Sequence, residues 1–168
     1  MIMQRKYGLE WPMHPGPSQD DRDRAARIEE AGAFVFDRYE QLLIFRSPEA
    51  ADSALAGMSK EWRDTVERCD LLMVSNDAVI TPYDRFSDFA FQGGLGTTYF
   101  DLQDVAVFRL HASQPEAEPA PAVMQLEEHL IASCGEAWQV IERQLAELAE
   151  RIARAYRCEI EWLDVAHP

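Results

Sequence analysis

Lysine is nearly missing from this chain: Lys6 and Lys60 are the only two in 168 residues, and the rest of the 16 basic residues are arginine. Acidic residues number 30, which leaves a net charge of −14 at neutral pH. Nucleic acid and anionic membrane both need cations to neutralise them, so direct binding to either is not expected. The arginine-dominated basic set, together with abundant alanine, fits a GC-rich bacterial or phage genome.

Cysteine is also scarce. Cys69, Cys134 and Cys158 are an odd set without CxxC spacing, which argues against a disulfide framework and a zinc site. They read as small core residues. The four histidines, His14, His111, His129 and His167, are scattered. The nearest Cys/His pair, His129 and Cys134, would lie about 140° apart on a helix and so cannot share a ligand. No Asp-x-Asp-x-Asp-Gly loop is present for a hard cation. No metal and no cofactor are therefore expected.

Signatures of catalysis are missing too. There is no G-x-S-x-G elbow. Cys69 and His111 could form a dyad in space, but so could any Cys/His pair in the chain. Gly93-Gly94-Leu95-Gly96-Thr97 is the one glycine cluster. A phosphate loop opens a helix, whereas β-rich Tyr99-Phe100 follows here, so a plain loop is expected. No apolar run approaches the ~18 residues of a membrane span. Met1 to Trp11 carries Arg5, Lys6 and Glu10 and lacks the apolar core of a signal peptide, so a cytoplasmic location is expected.

What is present is an ordinary globular apolar fraction of 47% in a length suited to one domain. Residues 1–17 read as an extended arm, because the prolines of Trp11-Pro12-Met13-His14-Pro15-Gly16-Pro17 exclude a helix. Residues 18–168 are expected to form a single α+β domain. Ser18 caps a first helix running to about Ala31. Ala33–Asp37 and Gln41–Arg46 form a hairpin around Arg38–Glu40. Ser47-Pro48-Glu49 opens a helix, with a cap, a proline at the first helical position and then an acid. Ser59 caps a short helix over 60–68. Two further hairpins are expected, Leu71–Ser75 with Ala78–Thr81 and Thr98–Leu102 with Val105–Leu110. Strands that arrive as hairpins predict an antiparallel sheet packed against helices.

Residues 113–122 are rich in Pro, Ala and Glu and read as a loop. Beyond them Val123, Leu126, Leu130, Cys134, Ala137, Ile141, Leu145, Leu148, Ile152 and Tyr156 recur at intervals of three and four. This pattern predicts one long C-terminal amphipathic helix over 121–157, roughly 50 Å in length. Gly135 is its expected weak point. Glu159–Val165 closes the chain as a strand.

Two features carry the functional expectation. Tyr83-Asp84-Arg85-Phe86-Ser87-Asp88-Phe89 mixes aromatics with acids, the composition of a contact patch. Glu116, Glu118, Glu127 and Glu128 cluster around the linker. Together Tyr83, Asp84, Phe86, Asp88, Glu116, Glu118, Glu127 and Glu128 form the expected partner-binding set. They suit a small acidic, non-enzymatic module that docks on a basic protein, such as a toxin, nuclease or secreted effector. Immunity proteins, antitoxins and phage anti-defence inhibitors work by that logic. Two alternatives stand beside it. One is a structural or chaperone subunit that forms a homodimer through helix 121–157. The other is an enzyme with a dispersed, motif-free site.

Overall fold

A computed structural model describes residues 3–10, 34–56, 60–135 and 137–163 of the chain. The fold is mixed α+β, built from two antiparallel sheets. The first has six strands in the order β2-β3-β1-β4-β7-β6. They are β1 (Met3–Glu10), β2 (Val35–Tyr39), β3 (Leu42–Phe45), β4 (Glu67–Val74), β6 (Ala90–Gln92) and β7 (Thr98–Asp101). The second has five strands in the order β11-β8-β10-β9-β5. These are β5 (Val79–Pro82), β8 (Val105–Ala112), β9 (Leu130–Cys134), β10 (Trp138–Glu142) and β11 (Cys158–Trp162). Among the described residues five α-helices accompany the sheets: α1 (Pro48–Ala56), α2 (Lys60–Thr65), α3 (Phe86–Phe89), α4 (Pro119–Leu126) and α5 (Ala146–Ala155).

The six-stranded sheet curls until its two edges meet. Tyr39 on edge strand β2 packs against Phe91 on edge strand β6, with ring centroids 4.7 Å apart. The Gly94 amide donates to the Arg38 carbonyl across the same seam at 2.7 Å. Inside the curl lie Leu42, Ile44, Leu71 and Tyr99, flanked by Phe36, Cys69, Met73 and Phe91, all from this one sheet. A bulge between Val35 and Asp37 sets Asp37 opposite Ile44, on the inner face. Close curvature also needs a residue without a side chain at Gly8. A Cβ there would sit 2.2 Å from Cys69 Sγ and 2.8 Å from a Leu42 methyl.

The outer face of this roll packs in two places. Tyr7, Leu9, Leu43 and Phe45 meet Ala51, Ala54 and Leu55 of α1. Leu72, Val74 and Phe100 meet Val105, Val107, Ile131, Cys134 and Val140 of the second sheet. The far face of the second sheet, through Ala106, Phe108, Leu130 and Ile141, is covered by Leu126 and Ala149 at the helices. Ser47 caps α1 as its sequence predicts, accepting the Ala50 amide at 3.3 Å.

Several expectations are corrected. Residues 121–157 are not one helix. Helix α4 ends at Leu126, the hairpin β9–β10 follows, and a 3-10 turn at Arg143–Leu145 leads into α5, thirteen residues in all. The reason lies in the residues off the stripe. Ile131, Ala132 and Val140 break the helical phase yet are fully buried, because strands covered on both faces read as continuous apolar runs. Gly135 and Ala137 both take positive φ, +52° and +72°, and turn the hairpin.

Strand β4 does not pair with β5, nor β7 with β8; each pair is a corner at which the chain changes sheet. At the first corner a 3-10 turn, Asn76–Ala78, hands the chain to β9 through the Gly135 amide and the Ala78 carbonyl at 2.7 Å. At the second, the Arg143 guanidinium binds the Leu102 and Val105 carbonyls and holds the bend. The glycine cluster joins β6 to β7 as a hairpin loop, and no helix follows it. Residues 3–10, expected as part of an extended arm, are extended but form an inner strand between β3 and β4. Residues 11–17 and the helix expected at 18–31 lie outside the described residues. The expected 113–122 loop gives way to α4 at Pro119. No helix among the described residues is long and apolar enough to cross a membrane.

Candidate functional site

Two distant stretches of the chain meet at an open cleft of about 800 Å³. One wall is Tyr83, Asp84 and Arg85, just after β5; the other is α4 and the turn that follows it. Strand β5 pairs with β9, and the Tyr83 amide donates to the Ile131 carbonyl at 3.1 Å. That pairing brings Asp84 beside Glu127 and Glu128, more than forty residues later in the sequence. The Tyr83 hydroxyl, 3.2 Å from Ser133 Oγ, begins a chain that continues from Ser133 to Gln139 Oε1 at 2.6 Å. Tyr83 is thereby held in place at the cleft wall.

Charge at the cleft is one-sided. Arg85 is the only cation among its described lining residues, and that guanidinium is already paired with the buried Glu142 and lies over the Phe89 ring at 5.0 Å. Asp84 and Glu127 have no ion pair among the described residues, and Glu128 lies 3.5 Å from His129 Nε2. Met124 lines the same cleft and is 72% exposed, the most exposed large apolar side chain of the described residues.

Of the eight residues expected to bind a partner, Tyr83, Asp84, Glu127 and Glu128 line this cleft. Phe86 turns inward and meets Phe100 edge-on at 5.8 Å. Asp88 faces a different cavity, at one end of the roll. Glu116 and Glu118 are exposed just before α4, where the Glu118 amide binds the Tyr156 carbonyl at 3.0 Å. Sequence reasoning missed Met124. Helix period would have found it once α4 was bounded: Ala122 and Leu126 are buried four apart, so the residue midway between them points outward.

Among the described residues Cys69, Cys134 and His111 are not brought together. Cys69 lies in the roll, where burial first and then Asp101, Glu10 and Asp70 push its thiol up to about 12. Such a thiol stays protonated at neutral pH. Burial alone raises Cys134 to about 11. His111 is on the other sheet, 2.5 Å from Glu161, which also takes a bidentate Arg109 fork at 2.9 Å. Arg109 in turn lies over the Trp138 ring at 4.8 Å. This cluster ties edge strand β11 to β8, and no group of ligating side chains among the described residues could hold a metal.

His111 and Arg109 hold the Glu161 carboxyl below its usual value. Its stabilising contribution is thus complete above the unfolded carboxylate value, about 4.3, and is lost as pH falls through the lower folded value. A Glu161→Gln variant should have a lower urea midpoint than the parent at pH 6, and the gap should close progressively below about pH 4. A gap that stays constant down to pH 2 would refute the clamp.

Comparison with family models, with curated proteins and with solved structures finds no match to this chain.

Proposed function

We propose that this chain is an acidic protein-binding module that docks on a basic partner protein and inhibits or escorts it. The observation that carries this reading is the cleft, which joins Asp84, Glu127 and Glu128 with exposed Met124. Arg85, the cation among its described lining residues, is already paired with Glu142. Such a surface fits a segment that presents Arg or Lys beside an apolar residue. The carboxylates steer the approach, and the thioether and Tyr83 supply adaptable apolar contact. The net charge of −14 extends that attraction over the whole molecule. Inhibitors of the immunity-protein, antitoxin or phage anti-defence kind use this arrangement against a cationic toxin or nuclease.

The stripe expected to form a homodimer is not one continuous helical face, since it is divided among α4, the β9–β10 hairpin and α5. Leu126, Leu130, Cys134 and Ile141 are fully buried in the core.

The test is kinetic. A fluorescent peptide of alternating Leu and Arg serves as the basic probe. Its association rate should fall at least tenfold between about 20 and 300 mM salt. Reversing three cleft charges, Asp84→Lys, Glu127→Lys and Glu128→Lys, should slow it at least tenfold at low salt. Reversing three exposed acids outside the cleft, Asp64, Asp77 and Glu147, should slow it much less. A rate indifferent to salt, or equal losses in the two triple variants, would reject the cleft as the docking surface.

A further inference from the structure

One end of the curled sheet opens into a second cavity, of about 350 Å³, which shares no residue with the cleft. Its floor is the inner face of the roll, Leu42, Leu71 and Cys69. One wall is aromatic. Tyr39 and Phe91 from the two sheet edges meet at a tilt, with ring centroids 4.7 Å apart, and Phe91 stacks on Tyr99 at 5.5 Å. Phe89 adds a further ring to the lining. Five carboxylates surround the opening: Glu10, Glu40, Asp88, Asp101 and Asp104. Among the described residues that line it there is no Lys, Arg or His.

We propose that this cavity binds a small organic polycation, an aliphatic di- or triamine, with its ammonium groups among the carboxylates and its chain along the rings of Tyr39 and Phe91. The cavity and the rings separate this place from an ordinary patch of surface acids. Ammonium groups are attracted to aromatic faces, and a volume of a few hundred cubic ångströms is the size of small-molecule sites. The fold also sustains electrostatic cost here. Glu10 stands directly opposite Glu67 in the β1–β4 register, a placement that destabilises a sheet when no cation intervenes. Burial, and then Asp104 and Asp70, raise the Asp101 carboxyl above its usual value. Arg143, whose charge partly offsets this at Asp101, donates its hydrogen bonds to the carbonyls of Leu102 and Val105.

Spermidine is the probe, titrated into the full chain at about 150 mM salt and followed by amide NMR shifts. The amides of Tyr39, Phe91 and Asp101 should move in a saturable way. Neutralising the exposed rim with Glu40→Gln, Asp88→Asn and Asp104→Asn should weaken the dissociation constant at least tenfold. Neutralising the cleft instead, with Asp84→Asn, Glu127→Gln and Glu128→Gln, should change it less than twofold. That contrast also separates this site from the docking reading, which is tested by charge reversal at the same three cleft positions. The proposal is overturned if the two triple variants weaken binding equally. It is equally overturned if magnesium at matched concentration moves the same amides to the same extent, since either result reduces the effect to counter-ion attraction. Shifts that never saturate overturn it as well.

Discussion

Replacing Asp37 with alanine lowers the unfolding free energy by about 2–4 kcal/mol, which makes it one of the most damaging single changes in the chain. Asp37 is buried at the seam of the roll. Its carboxylate accepts the Tyr99 hydroxyl at 2.8 Å, the Leu95 amide at 3.1 Å and the Arg38 amide at 2.8 Å. It thereby ties β2 to β7 and to the β6–β7 loop, where the sheet lacks a regular backbone ladder. Alanine leaves the fully buried Tyr99 hydroxyl without its acceptor, and the desolvation cost of that group is then uncompensated.

The loop is shaped to the acid. A Cβ on Gly93 would fall 2.2 Å from Asp37 Oδ2, so Gly93→Ala should damage the same seam. A double-mutant cycle of Asp37→Ala with Tyr99→Phe in urea measures the pair directly. The two losses should be non-additive by at least about 1 kcal/mol. Additive losses, or an Asp37→Ala cost below 0.5 kcal/mol on this order-of-magnitude scale, would remove the seam from the account.

The second large effect is expected at Phe100. Its ring is fully buried where the roll meets the five-stranded sheet, beside Leu72, Val107 and Ile131, and Phe86 packs edge-on against it. Phe100→Ala removes that contact and leaves a void between two sheets that cannot close independently. The cost should be about 3–5 kcal/mol, a large part of a typical total of 5–15 kcal/mol. Leu95→Ala is the control. Leu95 is 65% exposed at the tip of the β6–β7 loop, and its loss should stay within about 0.5 kcal/mol. Equal midpoints for the two variants in chemical denaturation would mean that the sheets do not pack as described.

The candidate sites lean on this framework. The cavity at the end of the roll exists because β2 and β6 meet, so loss of Asp37 should weaken spermidine binding along with stability. The cleft depends on a different contact, the pairing of β5 with β9, and should survive a loosened seam.

Some of this was legible from residue to residue. Ser47-Pro48 marked a helix start that is found, because capping is settled within four residues. A turn is expected at Arg38–Glu40, and it falls at Glu40-Gln41, with Arg38 and Tyr39 still paired in β2 and Glu40 at the positive φ of a tight turn. The glycine cluster lacked the helix that a phosphate loop needs, and it is a hairpin loop. The aromatic and acidic segment after Pro82 was noticed by composition. Its division into a core residue, Phe86, and cleft residues, Tyr83 and Asp84, was not, since burial depends on which way a four-residue helix rolls.

The sequence by itself determined an acidic chain, antiparallel α+β architecture and several of the places where the chain turns. Charge is a sum over residues, and turns and caps are local bargains among neighbouring backbone groups. Tertiary structure alone decided which strands pair, how the six-stranded sheet closes and which acids share a surface. Asn76-Asp77 and Gln103-Asp104 end strands whether the next one returns to the same sheet or crosses to the other. Leu130 to Ile141 satisfies a helical period as readily as two strands buried on both sides. Asp37 looks like any strand-end acid until Tyr99, sixty-two residues later, is brought to it. The deciding contacts are long-range, and their energy belongs to pairs that no local window of sequence contains.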